Sequence, residues 1–207
     1  YDLRTADASY LDQSKSFSTS DLSLPNLSFV GSNPKGPLEK GAFKGGSWGF
    51  SIQRIANFSN EFGYYSDKLG NSSIIDFYLG DASGIPESQI ENRGLTGLAY
   101  QTYQINPITV DGDGKPITNP RAYDSFVLGF PFQDENVTQE GSASQINFGY
   151  GANFHHKLFL GASLGIRSLE FSSIKQYNEE FGDQPLINSS LKESLFINGT
   201  GVNLNLG

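Results

Sequence analysis

Two adjacent histidines, His155-His156, are the first residues whose type could do chemistry. Imidazole is a common metal ligand. Neighbouring residues on a strand or tight turn point apart, however, so the pair reads as a solvated turn. Asp111-Gly112-Asp113-Gly114 starts like a calcium loop but lacks the third ligand and the distal glutamate, and it too reads as a turn. Glu179-Glu180 offers paired carboxylates in a polar stretch where solvation is expected. Asn57, Asn71, Asn136 and Asn188 each open an Asn-X-Ser/Thr sequon. They would accept glycans in a eukaryotic secreted protein and are incidental in Asn/Ser-rich bacterial loops. Cysteine is absent, which removes thiolate zinc sites and disulfides. No serine can be matched with a histidine into a nucleophile–base pair. The expectation is a protein without metal or cofactor and without enzymatic activity.

A different chemistry is carried by aromatic and aliphatic side chains in a segment that otherwise reads as loop. Phe58, Phe62, Tyr64, Tyr65, Phe77, Tyr78, Leu98, Tyr100 and Tyr103 crowd residues 56–136. Apolar surface on that scale marks a binding site unless the residues fold the loop on itself. The expected ligand-binding set is Phe62, Tyr64, Tyr65, Phe77, Tyr78, Leu98, Tyr100 and Tyr103, lining a groove for a hydrophobic small molecule. Within the loop, residues 71–80 read as a short helix capped by Asn71 or Ser72 and stopped by Gly80. Residues 95–105 read as a second helix that ends before Pro107.

The elements on either side show period-2 alternation. Ile146, Phe148, Tyr150, Ala152 and Phe154 alternate with Asn147, Gly149, Gly151 and Asn153. Beyond 155–157, Leu158, Leu160, Ala162, Leu164 and Ile166 alternate with Phe159, Gly161, Ser163, Gly165 and Arg167. Two such runs around a three-residue link predict a β-hairpin. Trp48, Phe50 and Ile52 repeat the pattern, as do Leu27 and Phe29, and Val202, Leu204 and Leu206 with Phe196. Strands are expected near 19–31, 46–56, 137–154, 158–174 and 191–207, joined by links at 32–45, 56–136, 155–157 and 175–190.

The face opposite the apolar one holds Gly, Ser and Asn where a solvated strand face would carry Lys, Glu and Thr. Large apolar residues outside and small polar ones inside are the pattern of outer-membrane barrels. The fold class expected is therefore all-β: a transmembrane antiparallel β-barrel, of which about five strands lie here, with half of a soluble antiparallel barrel or sandwich as the alternative. The segment 56–136 becomes a long extracellular loop with short helices, and the links 32–45 and 155–157 become periplasmic turns. A net charge of −8 speaks against a nucleic-acid partner. No run reaches the 18 apolar residues of a spanning helix, which leaves strand-built membrane proteins open. Met is absent, position 1 included, and the last six residues are strand-like. The whole of 1–207 therefore reads as part of one barrel domain belonging to a longer chain.

Gly46-Ser47-Trp48-Gly49-Phe50-Ser51-Ile52, Ser73-Ile74-Ile75-Asp76-Phe77-Tyr78-Leu79 and Lys157-Leu158-Phe159-Leu160-Gly161-Ala162-Ser163-Leu164-Gly165 follow in that order. With Ser23-Leu24-Pro25-Asn26-Leu27-Ser28-Phe29-Val30-Gly31 they resemble the FadL/TodX-type outer-membrane transport family, in its Bacteroidota branch. The likeness rests on order and spacing over most of the chain. It implies a bacterial outer-membrane barrel of fourteen strands plugged by an N-terminal hatch, taking up long-chain fatty acids and other hydrophobic molecules. The Asn-Pro-Ala-containing hatch of that family is missing here, so the resemblance places it before Tyr1, and further strands after Gly207. Lipid or detergent and a hydrophobic ligand are the implied partners. Other outer-membrane proteins would join them if the barrel is instead a scaffold subunit of a secretion or surface-protein complex.

Overall fold

The computed structural model describes residues 2–36, 38–127, 129–182 and 188–207. Strands β1 (Asp2–Tyr10) and β2 (Gln13–Asp21) open the chain, followed by β3 (Asn26–Pro34), β4 (Phe43–Asn57) and β5 (Asn60–Tyr65). Helices α1 (Ile74–Ala82), α2 (Glu87–Ile90) and α3 (Leu95–Gln101) come next, then two-residue strands β6 (Asn106–Pro107) and β7 (Tyr123–Asp124). The long strands β8 (Phe132–Phe154), β9 (Leu158–Glu180) and β10 (Asn188–Leu206) complete it. The structure is predominantly β and antiparallel.

The main sheet runs β10-β9-β8-β4-β3, and β5 pairs with β8 beyond the end of β4. It is open, not a closed barrel: β3 and β10 are its two edges among the described residues. The β8–β9 hairpin keeps an unbroken register from Phe132↔Glu180 down to Phe154↔Leu158. Its turn is set by His155 and His156, both left-handed at φ 53° and 59°. The His156 amide donates to Asn153 Oδ1 at 3.0 Å, so the two histidines serve as turn residues.

Several boundaries differ from the sequence reading. Residues 2–21 form a hairpin where only the end of a strand was expected, because its polar residues show no apolar alternation. Strands 137–154 and 158–174 are longer, starting at Phe132 and ending at Glu180. The added ends, 132–136 and 175–180, are largely polar on both faces, and period 2 is then faint in hydrophobicity. The expected long link 175–190 shrinks accordingly to the short stretch between Glu180 and Asn188. The segment 56–136 contains a strand pair after all: β5 lies antiparallel to Asp134–Gln139 of β8. The true excursion is 66–131.

Between β4 and β5 the edge of β8 changes partner. A register shift falls between Arg54 and Ala56, and the Phe58 amide donates to Gly141 O at 3.0 Å. Gly141 has φ +122°, and a Cβ there would meet Glu170 O at 2.2 Å, so this kink requires glycine. The β1–β2 hairpin packs on this junction. Arg4 Nη1 donates to Asn57 O (2.9 Å) and Ser59 O (3.3 Å). Asp21 accepts from Arg54 (2.8 Å) and Asn57 (2.7 Å).

The hydrophobic core lies in the excursion, joined by Phe181 from the end of β9, and not under the sheet. Ile75, Tyr78, Ala82, Ile90, Ala99, Ile105 and Phe181 form it, with Ile74, Leu79, Ile85, Tyr100, Tyr123 and Val127 packed around. We call 66–131 the cap. Helix α1 starts at Ser73, whose Oγ accepts from the Ile75 amide, while Asp76 bonds back to the Ser73 amide in a capping box. The N-cap is thus Ser73, not Asn71 or Ser72, and α1 passes through Gly80 to end at Ala82. Helix α3 ends at Gln101, and Tyr103 just beyond is left-handed at φ 60°.

Candidate functional site

Register and alternation together sort the sheet into two faces. On one, large apolar side chains line up across five strands. Phe29, Phe50, Phe148, Leu164 and Leu204 make one row. Leu27, Ile52, Ile146, Ile166 and Val202 make the next. Trp48, Tyr150, Ala162 and Leu206 make a third, and Gly31 leaves room for the Trp48 indole. The large residues of these rows are exposed apart from Phe50, which is half-buried. The apolar stretch of β9, Leu158 to Ile166, spans roughly 27 Å along the strand at about 3.4 Å per residue. Above it the row Arg54, Ser144, Ser168, Thr200 is polar, and the band stops.

The opposite face is uncharged and small through the same height. Its rows are Ser28, Ser51, Asn147, Gly165, Asn203 and Val30, Gly49, Gly149, Ser163, Asn205. Asn147 donates to Ser51 (3.2 Å) and Asn205 to Ser163 (3.3 Å). A cavity of about 500 Å³ opens at the lower end of this face, between Ser32, Ser47, Gly151, Phe159 and Gly207.

Lys44 lines that lower cavity, and further charges appear on this face toward the cap. Lys175 bridges Glu135 (3.3 Å) and Glu193 (3.6 Å). Higher still, Glu179 is 1% exposed. Its Oε1 accepts from the Ile74 amide (2.9 Å), Gln133 Nε2 (2.9 Å) and the Tyr177 hydroxyl (2.6 Å), and its Oε2 from Ser73 Oγ (2.6 Å). Burial, and then the bond to Glu179, push the Tyr177 phenol far above its usual value, so it stays a donor. Tyr10 of the hairpin donates to Gln133 Oε1. One carboxylate therefore gathers the start of α1, β8 and β9, and reaches β1 through Gln133. The expectation of a solvated Glu179-Glu180 pair is corrected for Glu179: the strand carries it to the Gly/Ser/Asn face, where the start of α1 buries it. Continuing the period-2 alternation of β9 past Ile174 gives its face, while the donors that bury it come from segments that meet it only on folding.

The eight expected ligand residues fall in three places. Phe62 and Tyr64 are half-buried on β5, Tyr64 tilted at 45° against Tyr10 with 4.5 Å between centroids; Tyr65 alternates to the other side, with Lys15 5.9 Å from its ring. Tyr78, 4% exposed, is core, and Tyr100 packs against that core while donating to Glu87 at 2.9 Å. Phe77, Leu98 and Tyr103 are exposed on the cap, at 61%, 49% and 78%. The Asp111 carboxylate is used locally, accepting from the amides of Asp113 (3.0 Å) and Lys115 (2.8 Å). No group of three metal-binding side chains occurs among the described residues.

No family model matches this chain, no curated protein is detectably similar, and no solved structure resembles it.

Proposed function

We propose that this chain forms part of an outer-membrane β-barrel that takes up hydrophobic small molecules. The apolar rows face lipid, the Gly/Ser/Asn face lines the lumen, and the cap stands outside the cell. The observation that carries the reading is the band itself. Three aligned rows of large apolar residues stay exposed while the face behind them is polar and small. A soluble sheet reverses this, burying the apolar face against a core. Allowing a strand tilt of about 40–45°, the band reaches roughly 20 Å, near the ~25 Å apolar belt of such barrels. Longer strands extend above it as polar walls that hold the cap.

In this reading a ligand meets Phe77, Leu98 and Tyr103 first, the cap residues that offer apolar surface without being needed for the core. Selectivity then depends on the cap and lumen, because the barrel wall is closed by backbone hydrogen bonds. The resemblance to FadL/TodX-type transporters points the same way. The test is uptake of a hydrophobic fluorescent tracer by cells making Phe77→Ala/Leu98→Ala/Tyr103→Ala. We expect uptake to fall several-fold with barrel assembly unchanged. Replacing Tyr78 is no test, since it would empty the cap core. Unchanged uptake together with a stable co-purifying protein would overturn transport in favour of a scaffold.

A further inference from the structure

Charge is divided along the strands. Below the apolar band lie residues 35–44 and the turn 155–157, which hold Lys35, Lys40, Lys44 and Lys157 against a single acid, Glu39. Asp and Glu number 22 in the whole chain, so four lysines to one acid reverses the balance found elsewhere. Between this end and the level of Arg54 and Arg167, the paired parts of β3, β4, β8, β9 and β10 carry no charged residue on either face.

The two segments form one rim. The His155 amide donates to Ala42 O at 2.8 Å, and the Lys35 amide to Lys44 O at 2.9 Å. A register shift between Phe43 and Gly45 turns Lys44 toward the lower cavity and pairs Phe43 with Phe154. Their rings meet edge to face at 5.9 Å, and Leu158, opposite Phe154, is 53% exposed. These three make the lowest row of the apolar face. Glu39 is taken by Lys35 at 3.5 Å, and Lys44 Nζ donates to Glu39 O at 2.6 Å. Lys40 and Lys157 are exposed and have no carboxylate partner among the described residues.

We infer that this rim docks on the head groups of anionic phospholipids, with Lys40 and Lys157 as the residues that select them. Phe43, Phe154 and Leu158 meet the ends of the apolar belt, where aromatic rings are favoured. Lysine stems are long enough to pass such a row and set the ammonium among the phosphates. A zwitterionic head group gains little from unpaired lysines, because its own ammonium offsets its phosphate. A net negative one gains about fivefold in affinity for each lysine at the surface. The cations lie directly against an exposed apolar row, which suits a lipid surface better than an acidic protein in water. This inference rests on the membrane reading above and concerns the wall that faces lipid, not the passenger.

Trp48 is the one tryptophan of the sequence, so a fluorescent reporter can be moved. In a Trp48→Phe background, Leu158→Trp reports on the lowest apolar row and Ile166→Trp on the highest; Leu160→Trp serves as a second lower reporter if the first variant does not fold. The full-length protein is placed in phosphatidylcholine vesicles holding equal shares of brominated phosphatidylglycerol or brominated phosphatidylcholine, and quenching reads which lipid lies beside each reporter. At the lower reporter we expect the anionic lipid to be favoured about tenfold, the scale of one or two lysines, and at the upper one not at all. Lys40→Gln/Lys157→Gln should remove the preference, Lys192→Gln above the band should leave it, and raised salt should weaken it. Equal quenching by the two lipids at the lower reporter, or a preference that survives Lys40→Gln/Lys157→Gln, would overturn the rim and leave the membrane reading standing. No quenching of either reporter by any brominated lipid would overturn the membrane reading, and this inference with it.

Discussion

Glu179 shows how far one side chain can hold two parts of this protein together. Four donors point at it, and of these Gln133 Nε2 also reaches Ser72 O at 3.0 Å and the Tyr177 hydroxyl at 2.8 Å. Glu179→Ala should strand buried donors and cost about 2–4 kcal/mol. Glu179→Gln, which keeps the shape and one carbonyl acceptor, should cost about 1 kcal/mol. Hydrogen exchange at the start of α1 would read both, with the alanine variant opening the cap well before the sheet. A second residue-scale effect comes from tyrosines. The bond to Glu87, then burial, push the Tyr100 phenol up to about 12. Burial, then the nearby Glu135 carboxylate, do the same for Tyr64, above the apolar band. Below pH 10 both folded and unfolded chains keep these protons and the stabilisation is complete. Between about pH 10 and 12 only the unfolded chain releases them, so stability should fall as pH rises through that window. Tyrosinate absorbance and loss of cap structure should rise together there. At this scale the sequence revealed the turn roles of His155 and Asp111. It hid Glu179, Gln133 and Tyr10, because their meaning depends on strands that meet only after folding.

For single strands, the legible part of the fold is the apolar band. Ile146–Phe154 and Leu158–Ile166 alternate apolar with small polar residues, so period 2 stands out. The same two strands continue past the expected ends over 132–136 and 175–180, largely polar on both faces, and hydrophobicity says little there. The β5–β8 pair was hidden for another reason: its partners, 60–65 and 134–139, are separated by the entire cap. Each face makes its own prediction. A charge in the middle outer row, Leu164→Lys, should cost about 2–4 kcal/mol of folding stability in lipid vesicles, whereas Ser163→Lys, one residue away on the inner face, should cost far less. Urea unfolding of both variants in vesicles measures the difference. Similar costs on the two faces would contradict the orientation proposed.

Across the whole molecule, the two exposed turns lie at opposite ends of the main sheet's long axis. The Asp111–Lys115 tip belongs to the cap, and the His155–Lys157 turn closes the far end of β8–β9. An epitope inserted after Gly112 should be reached by antibody on intact cells. The same epitope after His156 should be reached only once the outer membrane is permeabilised. The reverse labelling would invert the topology, and equal labelling would remove the membrane from the proposal. The open edges β3 and β10 were legible in kind, since five strands do not make a barrel. The β1–β2 hairpin was not, because it is tied by Arg4 to the β4–β5 junction and by Tyr10 to Tyr64, contacts that leave no apolar alternation in its own sequence.

The cap leaves the sheet at Tyr65 and returns at Phe132, and those ends are already neighbours. Tyr65 is paired with Asp134, the Ser66 amide donates to Gln133 O at 3.1 Å, and the Gly70 amide to Pro131 O at 2.9 Å. The sheet itself closes the stem. Changing the length of what lies between alters the closure entropy only as its logarithm, about 0.6 kcal/mol per doubling. The cap is therefore a cassette. It can be exchanged, shortened or rewritten by recombination at two adjacent points, and every strand register below would stay as it is.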